Sequence, residues 1–155
     1  MILVTIDTNI LSANNLVAAV PPGKFEFVVV SVTDREVGSG LSAFGQMVEA
    51  GVLGESLWGK AVWPDSADSD CLEQVLAIVS ARSFPQRGLR GSLTAGQRRQ
   101  LRDAMIFCAH VRAGRHIFVT NDKRGFIRDG RRQQLEQMFA TSIMTREEFE
   151  GEFAS

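Results

Sequence analysis

Apolar and polar residues alternate along the chain in blocks whose spacing predicts strands and helices in turn. Short runs rich in β-branched and aromatic residues are typical of buried strands, and they occur at 2–6, 25–33, 116–120 and 141–145. Apolar positions at helical spacing predict helices at 34–50, 71–82 and 94–114. A helix is also predicted at 9–20, where Pro21 and Pro22 stop it, and a polar helix at 131–139. Strands that alternate with helices predict an α/β fold with a central, mainly parallel sheet.

One predicted helix carries an acidic residue inside an apolar run. The stretch "LRDAMIFCAHV" (101–111) repeats its apolar positions at the spacing of one helical face. Thr94 and Gln97 have the spacing of a capping box that starts this helix. Asp103 is past the first turn and caps nothing, and an uncompensated carboxylate among such neighbours costs several kcal/mol. An ion pair with Arg99, one turn away, is one explanation of this residue.

Three further acids follow predicted strands, at the edge where α/β sheets hold their ligands. Asp7 comes directly after the first strand, Glu36 three residues after the second, and Asp122 two residues after the third. Each has a structural explanation when taken alone: Asp7 as a helix cap, Glu36 in a capping box, and Asp122 as a turn residue. A shared cation that neutralises them explains these three acids and Asp103 together.

A cluster of carboxylates predicts a hard metal ion. Oxygen ligands suit Mg²⁺ or Mn²⁺, which also keep positions for water and for a substrate phosphate. Such an ion lowers the pKa of water and stabilises charge on a phosphate oxygen during in-line attack. The residues therefore predict a metal-dependent phosphodiesterase, and their spacing alone leaves nuclease and phosphatase activity open.

Length and composition predict one ordinary globular domain. The 155 residues are enough for a hydrophobic core, and they predict a single domain over 1–155 with a less regular insert around 51–100. A net charge of −1 gives no bulk attraction to nucleic acid or to anionic membranes, so such binding depends on local patches. The two cysteines, Cys71 and Cys108, predict no disulfide framework and suit a reducing cytoplasm. Apolar runs are too short to span a membrane and no basic leader is visible, which predicts a cytoplasmic protein without membrane contact.

Five stretches of the chain, taken together, carry a recognisable pattern. They are "DTNIL" from Asp7, "SVTDREV" with Glu36, "RDAMIFCAHVRAG" with Asp103, "VTNDKRGF" with Asp122, and the closing "ATSIMTREEF". In these stretches the chain resembles the PIN-domain family, which includes the VapC-like toxin ribonucleases. The resemblance covers most of the chain and keeps the order and nature of all four acids.

The resemblance implies a PIN-like three-layer α/β/α domain whose acidic pocket binds Mg²⁺ or Mn²⁺. It implies that the metal-binding and catalytic acids are Asp7, Glu36, Asp103 and Asp122. It also implies that Asn9 and Thr120 support those acids. The implied activity is an endoribonuclease for single-stranded RNA, most often the toxin of a toxin–antitoxin pair. The partners that follow are the RNA substrate, a small antitoxin protein and a second copy of the chain in a homodimer.

Basic residues lie close to the acid motifs in the sequence. One block follows Asp122 and consists of Lys123, Arg124, Arg128, Arg131 and Arg132. Another surrounds the loop before the Asp103 helix and consists of Arg82, Arg87, Arg90, Arg98 and Arg99. The candidates for contact with an RNA backbone are Lys123, Arg124, Arg128, Arg90 and Arg99. A solvated charged face is the alternative explanation of both blocks.

Two other functions fit the same residues. A PIN-like module that binds RNA or a protein without turnover would keep the fold and lose the chemistry. A metal-dependent phosphatase would keep the metal site and act on a small phosphate ester.

Overall fold

The computed structural model describes residues 1–7, 13–31, 46–49, 66–86 and 93–154, in which strands and helices alternate. Within these ranges the strands are β1 (Ile2–Ile6), β2 (Phe25–Ser31), β3 (Gln46–Glu49), β4 (Ile117–Val119) and β5 (Ser142–Met144). The helices there are α1 (Ala13–Ala18), α2 (Ser66–Val79), α3 (Ala95–Arg112), α4 (Arg131–Phe139) and α5 (Arg146–Phe153), with a π-helical turn over Lys123–Ile127.

The five strands of the described ranges form one parallel sheet in the order β3-β2-β1-β4-β5. β1 lies in its centre, where Val4 pairs with Phe27 on one side and with Ile117 on the other. A central parallel strand is covered on both faces, which explains why the sequence ILVTI is apolar almost throughout. The predicted α/β class and the predicted parallel sheet are confirmed.

Two hydrophobic clusters lie against the sheet, one on each face. Side chains alternate between the faces along a strand, so Phe118 of β4 joins one cluster while Ile117 and Val119 join the other. The Phe118 cluster contains side chains of α2, α3 and α4, and the Val119 cluster contains side chains of α1 and α5. Helix α3, which carries Asp103, therefore packs on the face of the sheet that Phe118 occupies.

Helix α3 begins and ends where its sequence predicts. Thr94 Oγ1 accepts a hydrogen bond from the Gln97 N–H at 3.1 Å, and Gln97 Oε1 accepts one from the Thr94 N–H at 2.9 Å. This reciprocal pair is a capping box, which satisfies backbone donors at the helix start. Beyond the helix, Gly114 has a φ of +64°, in the left-handed region that favours glycine after a helix end. The prediction of a helix between Thr94 and Gly114 is confirmed.

The prediction of a helix over 34–50 is wrong for the last part of that segment. Gln46–Glu49 form strand β3, which pairs in parallel with β2, and the remainder of that segment lies outside the described residues. The spacing of Val48 from earlier apolar residues suits a helix, but a run of four residues also suits a short strand. Pairing with β2 decides between the two, and this contact is not visible in the local sequence.

The helix predicted over 71–82 begins and ends earlier than its apolar pattern indicates. It spans Ser66–Val79, so it takes in five residues that the pattern left unassigned. At the other end Ala81 and Arg82 have φ values of 51° and 66°, and this left-handed backbone turns the chain away from the helix. Within the region 51–100, the described residues therefore include all of α2 and the start of α3.

A buried histidine joins α3 to β1 and to Thr141, the residue before β5. His110 is fully buried, with Nδ1 2.8 Å from Thr5 Oγ1 and Nε2 2.6 Å from Thr141 Oγ1. The Thr141 hydroxyl donates its proton to the His116 carbonyl at 3.1 Å, so Nε2 carries the imidazole proton and Nδ1 accepts from Thr5. Burial, followed by the nearby charges of Arg115 and His116, lowers the pKa of His110 to about 3. The ring is therefore neutral at pH 7.

A side chain occupies the outer edge of β5. The N–H of Ile143 donates to Glu136 Oε2 of α4 at 2.9 Å. In the described sheet β5 has a neighbour on one side alone, β4. The carboxylate thus satisfies a backbone donor that an outermost strand leaves without a strand partner.

No helix in the described ranges is long and apolar enough to cross a membrane. The longest of these helices, α3, has 18 residues, and five of them are charged: Arg98, Arg99, Arg102, Asp103 and Arg112. A helix that spans the bilayer core needs about 20 predominantly apolar residues.

Candidate functional site

The strand order creates a switch point between β1 and β4. β2 and β3 lie on one side of β1, whereas β4 and β5 lie on the other, so the winding of the chain reverses there. Open α/β sheets bind their ligands in the crevice beyond the carboxyl ends of the strands at such a point. Asp7 directly follows β1, and Asp122 lies three residues beyond the end of β4. Two of the predicted acids therefore lie at the position where this architecture places a site.

Asp7 is a buried carboxylate with defined contacts. The residue is 1% exposed, and its N–H donates to the Val119 carbonyl at 2.9 Å, which continues the pairing of β1 with β4. Its Oδ2 accepts a hydrogen bond from the Thr120 hydroxyl at 2.8 Å. Aspartate is rarely this buried in proteins, because removing its charge from water is costly. Asp7 is accordingly the strongest candidate for a functional acid at this edge.

Thr120 connects Asp7 to Asp122. Its hydroxyl donates to Asp7 Oδ2 and accepts a hydrogen bond from the Asp122 N–H at 3.0 Å. The hydroxyl proton is committed to Asp7, so the orientation of the group is set. Thr120, for which the family resemblance implies a supporting role, is fully buried and lies between the two acids.

Asp122 begins the π-helical turn that follows β4. Its Oδ1 accepts a hydrogen bond from the Gly125 N–H at 3.0 Å, and its carbonyl accepts one from the Phe126 N–H at 3.1 Å. The turn role that the sequence offers as the structural explanation of Asp122 is confirmed. A β-carbon at Gly125 would lie 2.5 Å from Asp122 Oδ2, so glycine is the residue that leaves the carboxylate in place.

We expect Gly125→Ala to displace the Asp122 carboxylate and to lower the free energy of unfolding by about 1–2 kcal/mol, because the capping hydrogen bond is lost. Urea unfolding of the variant and the wild type measures this difference. The matched control is Gly96→Ala in the first turn of α3, where a β-carbon meets nothing closer than 3.9 Å. There alanine is expected to stabilise the helix by about 0.5–1 kcal/mol. Equal effects at the two glycines would contradict the prediction.

Asp103 lies on the stripe of α3 that faces the sheet. Residues four and seven positions further on, Phe107 and His110, share this stripe and are fully buried. Phe107 packs edge-to-face on Phe118 of β4, with ring centroids 5.2 Å apart. Asp103 itself is half-buried, less buried than its apolar sequence neighbours indicate.

The position of Asp103 along α3 brings it toward the carboxyl edge. α3 ends at Arg112 and β4 begins at Ile117, so the helix runs opposite to the strand and its earlier residues lie nearer the strand ends. From Phe107 to Asp103 the helix advances about 6 Å in that direction. From Phe118 to Thr120 the strand advances about 7 Å in the same direction. Because Phe107 and Phe118 are in contact, the position of Asp103 four residues earlier lies further toward the carboxyl edge of the sheet.

Carboxylate oxygens, which Asp7, Asp103 and Asp122 offer, are the ligands that the hard ions Mg²⁺ and Mn²⁺ prefer. Within the described ranges, however, no three His, Cys, Asp or Glu side chains form a group that could hold a metal ion, so the structure does not bring Asp7, Asp103 and Asp122 together as one ligand set. Glu36, the fourth predicted acid, and Asn9, the second predicted supporting residue, lie outside the described residues, as does Arg90.

In the basic block after Asp122, some residues are exposed and others form hydrogen bonds within the protein. Lys123 and Arg124 are exposed on the π-helical turn. Arg128 is exposed and lies 3.5 Å from the Asp129 carboxylate. Two members make internal contacts: Arg131 donates to the Arg124 carbonyl, and Arg132 forms two hydrogen bonds of 2.8 Å with Glu148. Of the block before the helix, Arg99 is exposed near the start of α3.

Sequence reasoning missed the requirement for Gly125, although a glycine three residues after an aspartate is typical of a capped turn. The hydrogen bond from Thr120 to Asp7 has no signal in the local sequence, because these residues are 113 positions apart, and the supporting role of Thr120 was implied by the family resemblance alone.

No family model, no curated protein and no solved structure matches the chain. The choice of a function therefore depends on the geometry of the carboxyl edge and on the motifs around its acids.

Proposed function

We propose that the chain is a Mg²⁺- or Mn²⁺-dependent endoribonuclease that cleaves phosphodiester bonds in single-stranded RNA. The observation that carries this proposal is the buried carboxylate of Asp7 at the switch point of the sheet, joined through the Thr120 hydroxyl to Asp122. A ligand-binding edge that buries one acid and links it to a second is suited to a cation. The motifs around these acids support a PIN-like three-layer α/β/α domain in particular.

In this proposal four acids share the metal site: Asp7, Glu36, Asp103 and Asp122. Thr120 holds Asp7 in one orientation, so this ligand loses little conformational freedom when it binds. Asp122 is held by the Gly125 N–H. Asp103 of α3 is proposed as a further carboxylate ligand. When bound, Mg²⁺ or Mn²⁺ supplies positive charge that makes water more acidic and offsets negative charge on a phosphate oxygen.

Substrate binding in this proposal uses basic residues beside the acids. Lys123 and Arg124 directly follow Asp122 and are exposed, so they are available to the phosphates of a single strand. Arg99 and Arg128 are two further candidates for contact with RNA, and both are exposed. Arg90, the remaining candidate from the sequence, lies outside the described residues. Arg132 is a weaker candidate, because its guanidinium is already engaged with Glu148.

The biological setting that we propose is the toxin of a toxin–antitoxin pair. It rests on the resemblance of the motifs to the VapC-like toxins. A small antitoxin protein, a homodimeric assembly and a cytoplasmic location belong to the same proposal.

Cleavage of a labelled single-stranded RNA tests the proposed activity. We expect cleavage in the presence of Mn²⁺ or Mg²⁺, loss of cleavage with excess chelator, and recovery when the metal is restored. A double-stranded RNA of the same sequence is the substrate control and is expected to resist cleavage. Cleavage that persists in chelator would contradict a metal-dependent mechanism.

Two further measurements distinguish the proposal from its rivals. RNA that binds and is never cut, with metal present, would indicate a binding module without turnover. Hydrolysis of a chromogenic phosphate monoester, with RNA left intact, would indicate a phosphatase.

A further inference from the structure

The two cysteines of the chain lie side by side across a helix pair. Cys71 is on α2 and Cys108 is on α3, and the Cys71 thiol donates to Cys108 Sγ at a sulfur–sulfur distance of 2.9 Å. Cys108 is buried, with 9% exposed, whereas Cys71 is half-buried. The sequence predicted no disulfide framework, and its spacing gave no sign of this contact. Folding of α2 against α3 brings together sulfurs that are 37 positions apart.

We propose that Cys71 and Cys108 form a redox-active pair that an oxidised thiol compound, such as glutathione disulfide, converts to an intramolecular disulfide. A disulfide bond is about 2.05 Å long, so the two sulfurs need to approach by less than about 1 Å. A movement of this size is within the reach of side-chain rotation on two packed helices. The redox chemistry is independent of the proposed nuclease activity.

The unequal exposure of the two cysteines sets the order of the steps. The thiolate of Cys71, which solvent reaches, attacks one sulfur of glutathione disulfide, forms a mixed disulfide and releases one reduced glutathione as its thiolate. The thiolate of Cys108, adjacent to Cys71, then attacks the Cys71 sulfur of that mixed disulfide. This second step forms the Cys71–Cys108 bond and releases the second glutathione. Overall, two protein thiols are oxidised, one glutathione disulfide is reduced to two thiols, and the protein loses two hydrogen atoms.

The bond would fasten α2 to the helix that carries Asp103. Cys108 belongs to the hydrophobic cluster in which Leu72, Val75 and Leu76 of α2 pack with α3, and Cys71 packs against this cluster. A cross-link between these helices closes a loop of about 37 residues, and closing such a loop lowers the entropy of the unfolded chain. The oxidised protein is therefore expected to be more stable than the reduced protein, with its two helices held in one arrangement.

The test is a titration of the full chain with mixtures of reduced and oxidised glutathione, read by intact mass under non-reducing conditions. We expect a species lighter by two hydrogen atoms, a peptide map that joins the Cys71 and Cys108 peptides, and a Tm higher by at least about 4 °C. Reduction with dithiothreitol is expected to reverse all three changes. The variant Cys71→Ser is expected to show none of them, because serine cannot form the bond.

Three results would overturn the inference. One is a stable mixed disulfide whose mass gain of one glutathione persists without closure. Another is a disulfide-linked dimer formed in place of the intramolecular bond. The third is an unchanged mass across the whole titration. Because every readout is made on the wild-type chain first, none depends on the folding of a variant.

Discussion

Replacement of Asp103 by asparagine is expected to lower the rate of RNA cleavage by about 100-fold or more, with the fold intact. Asparagine keeps the size of the side chain and removes the charge, so the loss falls on the metal site and not on the packing. Replacement of even an outer-shell partner of a metal ligand typically costs about 10–100-fold, and a direct ligand is expected to cost more. Asp7→Asn is expected to have the same effect, and its amide oxygen can still accept the Thr120 hydroxyl.

The measurement compares single-turnover cleavage of one RNA by the wild type and both variants at saturating Mn²⁺, with urea unfolding in parallel. The unfolding free energy is expected to stay equal or to rise, because each variant removes a partly or fully buried charge from the edge of the sheet. The matched control is Asp129→Asn, the same chemical change at an exposed carboxylate whose side chain is 73% accessible. Full activity is expected there. Equal cleavage by the wild type, Asp7→Asn and Asp103→Asn would rule the proposed mechanism out.

Acidification from pH 7 to pH 4.5 is expected to lower the unfolding free energy by about 2–3 kcal/mol through His110 alone. In the unfolded chain this imidazole has a pKa of about 6.5, whereas burial in the fold lowers it to about 3. Between these two values the unfolded state binds a proton that the folded state does not, so stability falls as the pH falls. Each pH unit in that window contributes about 1.4 kcal/mol at most.

Urea unfolding at several pH values, with wild type and His110→Gln compared, isolates this contribution. Glutamine does not titrate, so the variant is expected to lose stability more slowly between pH 7 and pH 4.5, whatever its stability at neutral pH. Parallel slopes for wild type and His110→Gln would show that the histidine titrates alike in both states.

The local sequence predicted those parts of the fold whose cause is local. The start of α3 is encoded by Thr94 and Gln97, which bond to each other within one turn. The helix over 131–139 and the strand over 2–6 are found at their predicted bounds. The strands predicted at 116–120 and 141–145 are each one residue shorter at both ends. The alternation of strands and helices was sufficient to predict a parallel sheet. Such a sheet binds ligands at the carboxyl ends of its strands, which is where Asp7 and Asp122 lie.

The parts that could not be predicted depend on distant contacts. Strand β3 exists because it pairs with β2, and its four residues carry no strand signal strong enough to replace the helical spacing of Val48. The Thr120 hydroxyl meets Asp7 because β1 and β4 are neighbours in the sheet, which no local pattern records. Asp103 shows the same limit, since it is half-buried although its sequence neighbours are apolar and mostly buried.

The Glu136 carboxylate on the Ile143 N–H has a consequence for assembly. An uncovered outer strand is a template on which another chain can add a strand by backbone pairing. At β5 the donor that such a strand would need is already taken by a side chain of the same molecule. A partner chain that bound this side of the protein would therefore have to recognise side chains. The substitution Glu136→Ala would leave the Ile143 N–H available to pair with an added strand.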